Sequence, residues 1–364
     1  MMRYCDSFGI YALVDSPSTP ALSQASLITR WNGCGVGNPN MGVKANAGNR
    51  GNPALYLPFG ASIAQTFAHQ NKYTIGFTLN IESLAGVGGG ALISFYNCTR
   101  SLVTLFVNTD GSILVFGNDT PATVILTTGV VLTATTDCFL SFSATISGTT
   151  NMTVDAEVRV NGVSVGTGSA SIGRNVNTLV SNTATFNRVF LESGMATNGR
   201  AYISDLYLND GSGSTNTGFS ETNVAPYLRI DPILPNGDNT PLQWTPNSGS
   251  VHYDRIDELP ADTADYNGSS TAGNVDSYNW ENIPSFIGTV GSVQISYFGL
   301  STEEGLRTFC ANIGAGGTEE QSDTFGLCST PLYHHQAFDL DPATAEAWIQ
   351  TLFNAKPFGI GLVD

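Results

Sequence analysis

The nine residues Tyr73-Thr-Ile-Gly-Phe-Thr-Leu-Asn-Ile81 constrain this chain more than any other stretch. Tyr73, Ile75, Phe77, Leu79 and Ile81 occupy alternate positions, with small or polar residues between them. A period of two is that of a strand with one face buried, and no helix accommodates it. The pattern recurs through Ala91–Tyr96, Leu102–Val107, Ser112–Phe116, Thr123–Leu126, Phe139–Ile146, Val154–Val160, Phe186–Leu191 and Tyr202–Leu208. Clusters of Gly, Asn, Asp and Ser separate these runs. In Glu157-Val-Arg-Val-Asn161-Gly162-Val-Ser-Val, the Asn-Gly pair predicts a two-residue hairpin, because both central residues of a type I′ turn need positive φ. Asp110-Gly111 reads the same way. Many short strands with turn chemistry between them predict an all-β sandwich or barrel.

With 364 residues the chain is long enough for two domains. The run Asn209-Asp-Gly-Ser-Gly-Ser-Thr-Asn-Thr-Gly218 follows the last strand of the first half and reads as a linker. We therefore expect an N-terminal arm with the first strands at 1–52, a β-sandwich at 53–218 and a C-terminal β domain at 219–364. Residues 13–52 are rich in Gly and Asn and give no clear strand. In the second half, Asn223–Asp231 reads as a strand and Pro235 to about Gly273 as an ordered surface loop anchored by Trp244, Tyr253 and Tyr266. Strands return at Gly291–Phe298 and Gly305–Ile313. One helix is predicted near the end, with Asp341 as N-cap, Pro342 in its first turn, an apolar stripe of Trp348, Ile349, Leu352 and Phe353, and Pro357 as its stop. A final strand runs from Phe358 to Val363.

Charged residues make up 12% of the chain, and 14 Lys and Arg face 30 Asp and Glu, a balance of −16. A protein that neutralises phosphates needs clustered Lys and Arg, so no nucleic-acid partner is expected. No apolar run is long enough to span a bilayer, and the start shows no charged leader with an apolar core, so neither membrane insertion nor a signal peptide is expected. The six cysteines form no Cys-x-x-Cys pair and read mainly as small core residues, with a Cys310–Cys328 pairing left open.

No catalytic, cofactor or metal residues are assigned. Asp155 and Glu157 share a face, but the alternation of Val154, Ala156, Val158 and Val160 puts that face in solvent, away from any cleft. Asp205 and Asp210 are weighed as calcium ligands at a strand end against Asp210-Gly211 starting a turn with Asp205 facing water, and the turn is preferred. His334 and His335 are neighbours on a strand and point to opposite faces. There is no Gly-x-Ser-x-Gly elbow, and Gly88–Gly90 lacks the following helix and Lys of a phosphate cradle.

Taken in order, several short segments resemble a family of tailed-bacteriophage virion structural proteins with a laminin-G or concanavalin A-like lectin domain. They are Cys5-Asp-Ser-Phe, Val158-Arg-Val-Asn-Gly-Val, Ile203-Ser-Asp-Leu-Tyr-Leu-Asn-Asp-Gly-Ser-Gly-Ser-Thr-Asn216, Gln243-Trp-Thr-Pro-Asn, Ser269-Ser-Thr-Ala-Gly and Asp341-Pro-Ala-Thr-Ala-Glu-Ala-Trp. The resemblance implies a jelly-roll β-sandwich, incorporation into a particle as a head-decoration or tail-fibre component, and no enzymatic activity. The expected partners are other virion proteins and further copies of the chain, in a homo-oligomer for which a trimer is the first expectation. The expected location is the virion surface, after synthesis in the host cytoplasm. The alternative is a module of the adsorption apparatus that binds a host surface glycan. For it, Trp31, Tyr253, Tyr266 and Tyr278 are the candidate binding residues, as aromatics in loop-like sequence.

Overall fold

In a computed structural model, the described residues are 2–6, 33–35, 41–44, 53–58, 60–84, 89–118, 122–175, 179, 183–193, 200–210, 230–259, 261, 263–283, 290–302, 307–314, 320–321 and 323–364. The chain divides into two compact units, Arg3–Ile230 and Asp231–Asp364. The expected boundary between residues 218 and 219 lies outside the described residues, as do Trp31 and residues 223–229 of the strand expected at Asn223–Asp231, whose last two residues are not in a strand.

The first unit is built from two antiparallel sheets. One has the order Val163–Asn175, Asn151–Val160, Cys138–Ser147, Lys72–Ile81, Arg200–Asn209, Ala54–Pro58, Gly42–Lys44, and Met2–Asp6 also pairs with Arg200–Asn209. The other has the order Thr123–Val130, Ser112–Gly117, Arg100–Val107, Gly90–Asn97, Phe186–Glu192, Ser62–Gln70, Gly33–Gly35. Neighbouring strands that are distant in sequence, such as Gly90–Asn97 beside Phe186–Glu192, make this a jelly-roll sandwich, since a meander would pair only consecutive strands.

The alternating residues of the sequence form its core. Tyr73, Ile75, Phe77, Leu79 and Ile81 are all buried in one apolar cluster. Their cross-strand partners Ala144, Phe142 and Leu140 belong to the same cluster, so the register carries the pattern from strand to strand. Phe95 of the second sheet stacks on Phe142 of the first at 5.2 Å between ring centroids and meets Phe186 at 5.4 Å. The predicted hairpin is present: Val160 pairs with Val163, and Asn161 and Gly162 have φ of 51° and 79°. Asn161 also holds the neighbouring strand, its backbone N–H donating to Phe139 O and its side-chain oxygen accepting from Phe139 N, both at 2.8 Å.

One edge of the sandwich is closed by the approach of two backbones. A Cβ on Gly168 would lie 2.1 Å from Ile125 O, so only glycine lets the strand Val163–Asn175 rest against Thr123–Val130.

The second unit holds a sheet ordered Pro235–Leu242, Val275–Trp280, Phe358–Leu362, Arg307–Ile313, Glu320–Gln321, with Phe325–Leu327 also on Arg307–Ile313. Val293–Gly299 and Leu332–Phe338 form a two-stranded sheet. Trp348, Phe353, Phe358, Ile313 and Val293 share its core. The stretch expected to be a loop from Pro235 thus opens as a strand despite its Pro, Gly and Asp content, because Val275–Trp280 supplies a pairing edge that local propensity does not register.

The C-terminal helix is shorter than expected, covering Gln350–Asn354, and Asp341 does not cap it. Asp341 lies in a two-residue strand, and its buried carboxylate accepts from Ala343 N at 3.2 Å and Thr344 Oγ1 at 3.1 Å and pairs with Lys356 Nζ at 3.0 Å. Those local donors hold a tight turn to Glu346–Ala347 where the sequence suggests a first helical turn. Trp348 is buried before the helix begins, with Nε1 donating to Phe338 O at 2.9 Å.

Charge separates along with the fold. Residues 1–230 carry 11 basic and 12 acidic side chains, a balance of −1, whereas residues 231–364 carry 3 and 18, a balance of −15.

Candidate functional site

On the strand Phe186–Glu192, Val189 and Leu191 point into the core, which turns Arg188, Phe190 and Glu192 to the outer face of the sandwich. The register extends that face sideways. Phe190 lies opposite Ser94, Ser94 opposite Thr104, and Thr104 opposite Phe116. In the adjacent row Arg188 lies opposite Tyr96, and Tyr96 opposite Ser101.

The floor between these rows is polar and closed. Ser94 Oγ and Thr104 Oγ1 are 2.9 Å apart, and Asn118 Nδ2 donates to Thr104 Oγ1 at 2.8 Å and also bonds Ser101. Above the floor stand half-buried rings: Tyr96 and Phe190 have centroids 4.5 Å apart, and Phe106 and Phe116 are 6.3 Å apart.

Two charged side chains flank Phe190. The Arg188 guanidinium sits 4.5 Å over its ring, and Arg188 Nε is buried without a hydrogen-bond partner. Glu192 Oε1 is likewise buried and unpartnered. Burial, and then the charge of Glu192, raise the Tyr96 hydroxyl above the usual phenol range, with a bond to Ser101 and the charge of Arg188 opposing them. Tyr96 is therefore a neutral hydrogen-bonding group at ordinary pH. The arrangement offers rings for stacking beside a few polar and charged side chains, which is how ligand sites are commonly lined.

The aromatics chosen from the sequence fall elsewhere. Tyr253, Tyr266 and Tyr278 come from one neighbourhood of the second unit, organised by Asp276. This carboxylate is fully buried and accepts four hydrogen bonds. Oδ1 takes Gln243 N at 2.6 Å and Trp244 N at 2.7 Å; Oδ2 takes His252 Nδ1 at 2.7 Å and the Tyr278 hydroxyl at 3.0 Å. Because a carboxylate only accepts, a neutral His252 carries its proton on Nδ1. Asn267 Nδ2 donates to both Tyr278 Oη and His252 O, and Asp238 accepts from the backbone N–H groups of His252 and Tyr253.

Tyr278 is thus not a loop aromatic. It sits on the strand Val275–Trp280, 2% exposed and with its hydroxyl engaged, so it has no ring face to offer a ligand. Tyr253 is half-buried in a short 3-10 turn, while Tyr266 is 53% exposed.

Asp155 is exposed and Glu157 pairs with Arg159 at 2.9 Å, on the solvent side of their strand as expected. Asp205 does not face water: it is 2% exposed, has φ of 52°, and accepts from Ile230 N at 3.1 Å. A bulge in its strand between Ser204 and Tyr207 turns it inward. His334 packs between Phe309 and Phe325 at 5.2 and 5.5 Å, and burial lowers its pKa. Cys310 is buried and Cys328 exposed, both as free thiols. Among the described residues, no three His, Cys, Asp or Glu converge as metal ligands.

Sequence reasoning found the strand that carries Arg188, Phe190 and Glu192 but not the site. The available signal was an aromatic on the solvent-facing side of an alternating strand, bracketed by opposite charges.

No family model matches the chain, and no curated protein matches it. Solved structures with a similar arrangement of strands include a PL-14 alginate lyase from Aplysia kurodai, at 11% identity and a TM-score of 0.40, spanning 58% of this chain and 99% of its own. An endo-β-1,4-glucuronan lyase from Trichoderma reesei gives 8%, 0.36, 57% and 95%. Domain 4 of AbnA, a GH43 arabinanase from Geobacillus stearothermophilus, in complex with arabinotriose, gives 13%, 0.33, 48% and 77%. These neighbours are sugar-binding or sugar-processing β-sandwich proteins, and at such identities and scores they assign neither ligand nor reaction to this chain. They do correct the expectation of a chain without enzymatic activity. Sandwiches of this kind occur among polysaccharide lyases, so the fold gives no ground for excluding catalysis.

Proposed function

We propose that the sandwich of the first unit binds a glycan on the outer face formed by Tyr96, Phe190, Arg188 and Glu192. The observation that carries this reading is the pairing of half-buried rings, Tyr96 and Phe190 at 4.5 Å, with the charged side chains of Arg188 and Glu192 on one face of the sheet. Sugars present C–H faces to aromatic rings and hydroxyls to carboxylates, guanidinium and carboxamide groups, so both kinds of surface are used at once. The sequence resemblance supplies a setting, the surface of a tailed-phage particle with the glycan on the host, and a symmetric homo-oligomer would present several such faces together.

Binding of the full chain to an immobilised glycan panel tests the reading. Phe190→Ala and Tyr96→Ala should each weaken binding by about tenfold or more, corresponding to about 1.4 kcal/mol, while the thermal midpoint stays close to that of the parent. Equal binding by parent and both variants would place the site elsewhere. The setting is tested by mass spectrometry of purified virions, from which the protein's absence would remove it.

A further inference from the structure

We infer that the ligand of this face carries a carboxylate on one sugar, a uronic acid, gripped by Arg188 and followed along the strand by uncharged sugar. The inference rests on the glycan-binding reading and adds a charge pattern to it.

Arg188 differs from three other arginines of this acidic protein. Arg159, Arg200 and Arg255 pair with Glu157, Glu82 and Asp265 at 2.9, 3.4 and 2.8 Å. Arg188 has no carboxylate at ion-pair distance among the described residues, although the whole chain holds 30 acids against 14 bases. Its guanidinium is instead held over the Phe190 ring, 4.5 Å from the centroid. A half-buried cation left without a counter-ion is costly, and an anionic ligand relieves that cost as no neutral one does. The planar fork suits a carboxylate, which it can take through two parallel N–H···O bonds. The surrounding unit is close to neutral at −1, so it does not repel an anion as the −15 of residues 231–364 would.

Glu192 sets the second half of the pattern. It lies on the same face as Arg188, two alternate positions farther on and about 13 Å away at the usual strand rise. Its carboxylate, half-buried on this face, suits sugar hydroxyls and repels an anionic sugar. The row of cation, ring and anion therefore fits an isolated uronate within neutral sugar and disfavours a chain in which every unit is charged.

Three probes separate the possibilities by calorimetry on the full chain: a xylo-oligosaccharide bearing one glucuronate, the same compound after reduction of its carboxyl group, and an oligogalacturonate of similar length. The first should bind most tightly, and its affinity should fall with added salt. Arg188→Gln should weaken it about tenfold or more, corresponding to about 1.4 kcal/mol, and weaken the reduced form by a much smaller factor. Arg188→Lys should recover part of the loss. Glu192→Gln should improve binding of the oligogalacturonate. Equal affinity for the acid and its reduced form, unaffected by Arg188→Gln, would overturn the inference and leave glycan binding standing. Tightest binding of the oligogalacturonate would overturn the charge pattern. If the parent binds none of the three and no neutral glycan of the panel, the glycan-binding reading falls and the inference with it.

Discussion

Asp276 shows what one buried charge does in this protein. Its four donors come from three separate segments, at residues 243–244, at 252 and at 278, so the carboxylate ties the stretch beyond the first strand of the second unit to the sheet. Asp276→Asn replaces an acceptor of four bonds with a group that must donate from one side. The expected loss is roughly 3 kcal/mol of stability, measured by urea denaturation, because a buried charge network with one member removed strands the rest. Tyr278 shares this network. Burial, and then the charge of Asp276, push its hydroxyl far above the usual phenol range. The folded form therefore holds a proton that the unfolded chain releases near pH ~10. That contribution is complete below pH ~10 and is lost as pH rises above it. Stability of the second unit should decline under alkaline conditions. Tyr278→Phe should be less stable at neutral pH by about 1–2 kcal/mol and show a shallower decline across that window. An unchanged slope would show that other buried tyrosines, such as Tyr297, carry the effect.

Among the elements, the strands Val163–Asn175 and Thr123–Val130 make the most exacting contact. Gly168 lets the two edges meet at Ile125 O, closing the sandwich where each sheet would otherwise end in an open strand. Gly168→Val has nowhere to put its side chain without separating the sheets. It should lower stability by about 2–3 kcal/mol, read as a drop in the midpoint of the first unit's unfolding. Gly237→Ala is its control, since the nearest atom to an added Cβ there is 3.5 Å away. The hairpin at Asn161-Gly162 was legible because its turn chemistry is contained in two residues. The helix was misplaced for a complementary reason: Asp341 and Pro342 suit a tight turn as well as a helix start, and the tie from Lys356 decides between them.

At the scale of the whole molecule, two units of unlike charge predict two separable responses. Screening relieves repulsion within residues 231–364 far more than within residues 1–230. Raising salt from low to physiological strength should therefore shift one calorimetric transition upward and leave the other nearly still. Asp276→Asn should move the salt-sensitive transition, and Gly168→Val the other. A single transition that moves as one under salt and under both substitutions would mean that the units unfold together.

The all-β class, the core faces of most strands in the first unit and the tight turn at 161–162 can be read from the order of residues. Each follows from interactions between residues close in the chain: alternation selects which face is buried, and positive φ selects Asn and Gly. Strand order was decided by tertiary structure alone, and with it the candidate site. Tyr96 meets Arg188 and Phe190 only because Gly90–Asn97 lies beside Phe186–Glu192, and no local rule states which distant strands pair. The same holds for Tyr278, whose aromatic ring and neighbouring Asp and Asn residues look like a binding loop in one dimension. In three dimensions its hydroxyl meets Asp276 and Asn267 inside the second unit, because a buried carboxylate must collect its donors from wherever the fold brings them.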